Sequence, residues 1–173
     1  MSRATVRAAL ATFIRGANIT GLNGVYKAEP RFYAGEQLDA AADGGVAAWA
    51  WVELGDSSED RLSVPAQWPG QTGAGSKAVH YEAAILVQYQ YLVPQQTVAV
   101  VPPDAWVDGE DVIIQAIKDR LHSDPALGAP SVILASGQEN RSLHVTGDSP
   151  RVDPAKVLSN RAITFRITEI IQA

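Results

Sequence analysis

The sequence predicts an α+β fold, a mainly antiparallel sheet with two helices packed on one face. Lys77 to Val93, KAVHYEAAILVQYQYLV, alternates in polarity for far longer than the ~5–6 residues of an average strand. Val46 to Leu54 and Arg161 to Ile171 alternate in the same way, so strands dominate. Residues 3–16 and 108–123 instead space their apolar side chains by three and four, the period of a helix with one buried stripe.

In the first helix Val6, Leu10, Phe13, Ile14 and Ala17 form the stripe, while Arg3, Arg7 and Arg15 stay in water; Ser2 fits an N-cap and Gly16 a stop. A short strand follows around Val25 to Ala28, and Arg31 to Gly45 carries no assignable pattern. In Val46 to Leu54 the small face is Val46, Ala48, Ala50, Val52 and Leu54, which lets a helix come close; Trp49, Trp51 and Glu53 take the other. Gly55 to Ser76 turns polar and rich in Gly and Pro, and is expected to be a long flexible loop. In the long strand Val79, Tyr81, Ala83, Ile85, Val87, Tyr89, Tyr91 and Val93 share the packed face, and His80, Glu82, Leu86, Gln88 and Gln90 the wetter one. Pro94 to Pro103 reads as an edge or linker. The second helix has Asp108, Glu110 and Asp111 at its start and Lys118, Arg120 and His122 near its end, matching the macrodipole; Ile113, Ile117 and Leu121 form its stripe. Ser131 to Ala135 and Ser142 to Thr146 read as a hairpin around residues 137–140. The last strand alternates Ile163, Phe165 and Ile167 against Thr164, Arg166 and Thr168.

A chain of 173 residues fits a single domain over 1–173. The formal net charge of −5, with basic residues scattered, argues against a nucleic-acid grip through a basic face. The absence of cysteine excludes disulfides and thiolate metal sites. Arg7 and Arg15 bracket an apolar run too short for a signal peptide, and no run approaches the ~20 residues of a membrane span, so a soluble protein is expected.

Chemical motifs are sparse. Gly70 to Lys77, GQTGAGSK, comes near a P-loop, but Ser76 and Lys77 stand in reverse order and a strand follows where a helix N-terminus is needed. His80, Glu82 and the distant His144 have the residue types of a facial iron site, yet each also suits a solvated strand face. Asp56, Glu59 and Asp60 read as a solvated tip of the long loop, since nothing nearby would raise a carboxyl pKa. No serine lies in a nucleophile elbow. No catalytic, cofactor-binding or metal-binding residue is therefore expected, and no cofactor.

The segments RATVRAALATFIRGANITGLNGVY, HYEAAILVQYQY, DGEDVIIQAIKDRLHSDPALG and RAITFRITEII, in that order, resemble the tail-terminator and tail-completion proteins of long-tailed bacteriophages. The resemblance covers most of the chain as an order of elements. It implies a non-enzymatic virion protein: a homo-oligomeric ring, usually a hexamer, capping the tail tube and joining it to the head-side connector or stopper. DNA would pass through the lumen without specific binding, and no membrane is involved. Expected contacts with neighbouring subunits or the tube are Trp49, Trp51, Asp56, Glu59, Trp68, His80, Glu82, Gln88, Gln90 and Arg166. Other readings are a stopper, adaptor or tube subunit, a toxin-delivery tube component, or a ligand-binding or enzymatic α+β domain.

Overall fold

The computed structural model describes residues 3–30, 46–61, 76–92, 104–124, 126–127, 132–134, 143–153 and 156–172. Within them the elements are α1 (Arg3–Arg15), β1 (Leu22–Tyr26), β2 (Val46–Arg61), β3 (Ser76–Leu92), α2 (Ala105–Ser123), β4 (Val132–Leu134), β5 (His144–Gly147), β6 (Arg151–Asp153) and β7 (Lys156–Gln172). The strands form one sheet in the order β1-β2-β3-β7-β4, with β5 and β6 also paired to β7. Only β1 and β2 run parallel; the other pairings are antiparallel. The fold is α+β, as the periodicities predict.

Both helices pack on one face. Val6, Leu10 and Ile14 of α1 and Ile113, Ile117 and Leu121 of α2 join Val52, Ile85 and Ile163, which stand in one cross-strand row, in a single core. Ala48 and Ala50, both fully buried, leave the room that α1 uses to approach β2. Fully burying a side chain such as Leu10 contributes about 2–3 kcal/mol, and six such residues come from the helices alone. The two helices are tied together at Arg120, which donates from Nε to the Phe13 carbonyl at 3.0 Å and lies 3.9 Å from the Phe13 ring centre. α1 ends where Asn18 turns to a left-handed φ of 48°.

Three sequence expectations need correction. β2 does not stop at Leu54 but runs on to Arg61, so the first part of the expected loop is strand; residues 62–75 lie outside the described residues. A bulge explains the misreading. Leu54 pairs with Ala83 and Ser57 with Tyr81, so Gly55 and Asp56 together oppose Glu82. The extra residue inverts the alternation, putting odd residues on the helix face after it and even ones before, and a broken period reads as a loop. The expected hairpin pairing is not found between the described strands either. β4 and β5 both pair with β7, at Ile167–Glu169 and Arg161–Thr164, so they lie end to end along it. Alternation identifies a strand but not its partner, and β7 offers a long edge. Finally, the early strand is Leu22–Tyr26 and stops short of Ala28. The expected edge or linker at Pro94 to Pro103 lies outside the described residues. No helix among the described residues is long and apolar enough to cross a membrane.

Candidate functional site

α1 begins at Arg3, whose guanidinium donates to the carbonyls of Leu54 (2.5 Å) and Gly55 (2.7 Å) and lies over the Tyr81 ring. Past that point the three central strands continue, with no helix among the described residues over them: β2 through Asp56–Arg61, β3 from Ser76 to His80, and β7 from Thr168 to Gln172, with Val79 and Glu169 still buried on the helix side. At ~3.3 Å per residue this arm reaches roughly 15–20 Å beyond the first turn of α1.

The face of the sheet turned away from the helices carries a polar row here. The register sets Ser58, His80 and Thr168 side by side, and Glu82 beside Arg166 in the next row. His80 is held from both sides, its Nδ1 2.9 Å from Thr168 Oγ1 and its Nε2 3.2 Å from Asp60 Oδ2. Arg166 lies 3.6 Å from Glu82 with both side chains about two-thirds exposed, so the pair contributes at most ~1 kcal/mol. Lys77 donates to Glu59 at 3.0 Å on the opposite face. A shallow depression of about 400 Å³ runs over Ser58, His80, Glu82, Arg166 and Thr168.

Carboxylate, imidazole and hydroxyl in sequence have the order of a nucleophilic relay, but the setting differs. His80 and Thr168 sit on strands paired on both sides, so their N–H groups belong to the ladder and no pair of them faces a developing oxyanion. Asp60 is 71% exposed, which weakens its hold on the imidazole. The iron-type set is not assembled either. His144 pairs with Thr164, four residues along β7 from the partner of His80, which is ~13 Å along the strand and on the far side of it. What the row offers is alternating charge and hydrogen-bonding groups on an accessible sheet face.

The ten expected contact residues divide. Asp56, Glu59, Glu82 and Arg166 are exposed, and His80 and Gln88 are half-exposed. Trp49, Trp51 and Gln90 are buried within the chain, at 4%, 8% and 4% exposure. They do lie on the face away from the helices, and the Trp51 indole N–H donates to Glu53 at 3.3 Å. Side-chain period shows that a residue is on the second face but not that this face is covered. Trp68 lies outside the described residues.

The most constrained polar groups were missed by sequence reasoning. Glu110 is buried under the helix layer, where it accepts from Ser159 Oγ at 2.5 Å and from Arg161 Nε and Nη2, both at 2.8 Å. The hydrogen bonds that Arg161 donates to Glu110 raise its pKa above the ordinary value. Glu169 is buried beside Tyr81, whose hydroxyl donates to it at 3.0 Å. A signal existed for both. Glu110 stands three residues before Ile113 on the buried stripe, and Glu169 shares the parity of Ile163, Phe165 and Ile167.

The two buried tyrosines of β3 give opposite expectations. The Tyr89 hydroxyl is buried without a hydrogen-bond partner among the described residues and packs against Gly109, where an added Cβ would come within 2.6 Å of it. Tyr89→Phe is therefore expected to stabilise the fold by about 1 kcal/mol, and Tyr81→Phe, which takes a donor from Glu169, to cost about 1–2 kcal/mol. Urea unfolding of both variants measures this; equal signs would sink the argument. Burial above all, then the hydrogen bond to Glu169 for Tyr81 and the charge of Glu110 for Tyr89, pushes both hydroxyl pKa values from 10.0 up to about 12. Below pH 10 both states keep these protons. Above it the unfolded chain loses them first, so stability falls with rising pH and the loss is complete near pH 12, at roughly 2–3 kcal/mol per tyrosine. Unfolding midpoints taken across that window should drop, and Tyr89→Phe should remove about half the drop.

No protein-family model matches this chain, and no curated protein matches it.

Proposed function

We propose that this chain is a structural subunit of an oligomeric ring that caps the tail tube of a long-tailed bacteriophage and joins it to the head-side connector. The observation that carries this is the length of the three central strands, whose face away from the described helices carries the accessible charged groups Asp60, His80, Glu82 and Arg166. Strands of 16 and 17 residues are about three times the ~5–6 residues of an average strand, a length that suits a sheet shared with neighbours. The resemblance in element order to tail-terminator proteins supplies the biological setting. With 19 acidic against 14 basic residues, a ring of such subunits lets DNA through its lumen without gripping phosphate.

The same geometry would serve a stopper or a tube subunit, and the position of the protein in purified particles separates these. The direct test is light scattering of the purified chain at high concentration, with negative-stain electron microscopy of the same sample. Rings of one regular subunit number are expected. A chain that stays strictly monomeric overturns the proposal.

A further inference from the structure

The outer edge of β2 is unpaired where the sheet runs past α1. β1 pairs only with residues 48–51, so over residues 52–61 that edge has no strand partner among the described residues. Arg3 already sets its guanidinium on two carbonyls of the stretch, those of Leu54 and Gly55. Past them, residues 57–61 extend over ~16 Å of backbone. Unpaired N–H and C=O groups in such a row are a template for an added strand. Residues 52–61 hold four carboxylates, Glu53, Asp56, Glu59 and Asp60, against one basic residue, Arg61, and all four carboxylates are exposed. Glu59 stands on the helix side of the sheet and Asp60 on the other, so negative charge flanks the edge on both faces. Their neighbours Lys77 and His80 form only exposed pairs with them, which leaves that charge largely uncompensated.

A second copy of this chain does not fit the slot. Two β2 edges meeting about a two-fold axis would set carboxylates against carboxylates. Across the sheet, β4 is level with residues 57–59 of β2, and β5 with residues 50–53. A copy that brought its β4 onto residues 57–59 would drive its β5 into β1, which already covers residues 48–51. That far edge is not basic either: β4 carries no charged residue, and Arg151 stands against Asp148 and Asp153. The outer edge of β1, Leu22–Tyr26, is uncharged as well.

We infer that residues 57–61 of β2 accept an extended basic segment of another protein as an added strand. Main-chain hydrogen bonds along β2 supply the affinity, and lysine or arginine side chains on the two faces of the added strand meet Glu59 and Asp60. Asp56 and Ser58 also line the depression over His80 and Thr168, so a long basic side chain has room to cross onto that face. The edge is present in a single chain, and the inference does not depend on the ring reading above.

Synthetic peptides of about eight residues test it, one built of lysine, threonine and valine and one with glutamate in place of each lysine. In fluorescence anisotropy the lysine peptide should bind the full chain about tenfold more tightly than its acidic counterpart, or better, and should slow amide exchange at residues 57–61. N-methylating alternate amides of the lysine peptide keeps its charge and removes donors. Only one of the two alternate sets faces β2, so methylating that set should weaken binding about tenfold and methylating the other should leave it unchanged. Glu59→Lys/Asp60→Lys should also bind the lysine peptide about tenfold more weakly; both side chains are exposed, so this variant should fold, as its unfolding curve will verify. Methylated sets that behave alike would reveal charge attraction without an added strand and overturn the inference. So would a lysine peptide that does not bind, or exchange at residues 57–61 that is already slow in the chain alone.

Discussion

Arg161→Ala is expected to cost about 3–5 kcal/mol of folding stability, measured by urea unfolding. The reason is not the attraction it removes but the charge it leaves behind. The Glu110 side chain is 3% exposed and that of Arg161 26% exposed, so the arginine can turn towards water while the carboxylate cannot. After the substitution Glu110 retains only the Ser159 hydroxyl as a described side-chain partner. Glu110→Ala should therefore cost less than Arg161→Ala, a difference in order that a simple count of lost hydrogen bonds would reverse or miss. Replacing both with methionine should bring stability back to within about 1–2 kcal/mol of wild type, since a packed apolar pair avoids desolvating two ions. Gly147→Ala should act on the same pair from the other side. Gly147 is the cross-strand partner of Arg161, and a Cβ there would come within 2.5 Å of Arg161 Cδ and 2.6 Å of Nη1. It would also come within 2.7 Å of the Asn160 carbonyl, so both the arginine and the local backbone would have to shift. An Arg161→Ala cost below about 1 kcal/mol would show that water reaches Glu110 and that the argument is wrong.

This ion pair marks the boundary of what the sequence makes legible. Val6, Leu10 and Ile14, and Ile113, Ile117 and Leu121, identify both helices and the side each buries. The odd residues from Val79 to Tyr91 identify the packed face of β3, because hydrophobic period follows directly from backbone geometry. Glu110 and Glu169 obey the same periods but carry charge, and charge suggests the surface until the partners are known. Arg161 and Tyr81, which supply those partners, are distant in sequence. The arm was hidden for a different reason: one extra residue at Gly55–Asp56 inverts the alternation, and the strand beyond it is polar on both faces. Trp49 and Trp51 show a further limit. Their face was legible, but their burial depends on what lies over that face. Of the candidate site, His80, Glu82 and Arg166 were found from parity, whereas Asp60 and Thr168, which hold the imidazole, needed the register.

Ile85→Ala is expected to destabilise the fold by about 2–5 kcal/mol, while Leu86→Ala one residue on should cost only ~1 kcal/mol. Ile85 is fully buried between Val52 and Ile163 beneath the helices; Leu86 is half-buried between Trp51 and Ala162 on the other face. An alanine scan from Val79 to Gln88 should therefore alternate in stability with period two at its non-alanine positions, with Val87 on the high side, and Glu82 within about 0.5 kcal/mol of wild type. The low positions matter as much as the high ones. His80, Glu82 and Gln88 should leave the unfolding midpoint nearly unchanged yet lower the concentration-dependent mass if their face meets a neighbouring subunit or the tube. A strand whose two faces separate folding from association in this way serves assembly. If His80→Ala and Glu82→Ala change neither stability nor association, the accessible face of the arm is idle, and the length of β3 needs another explanation.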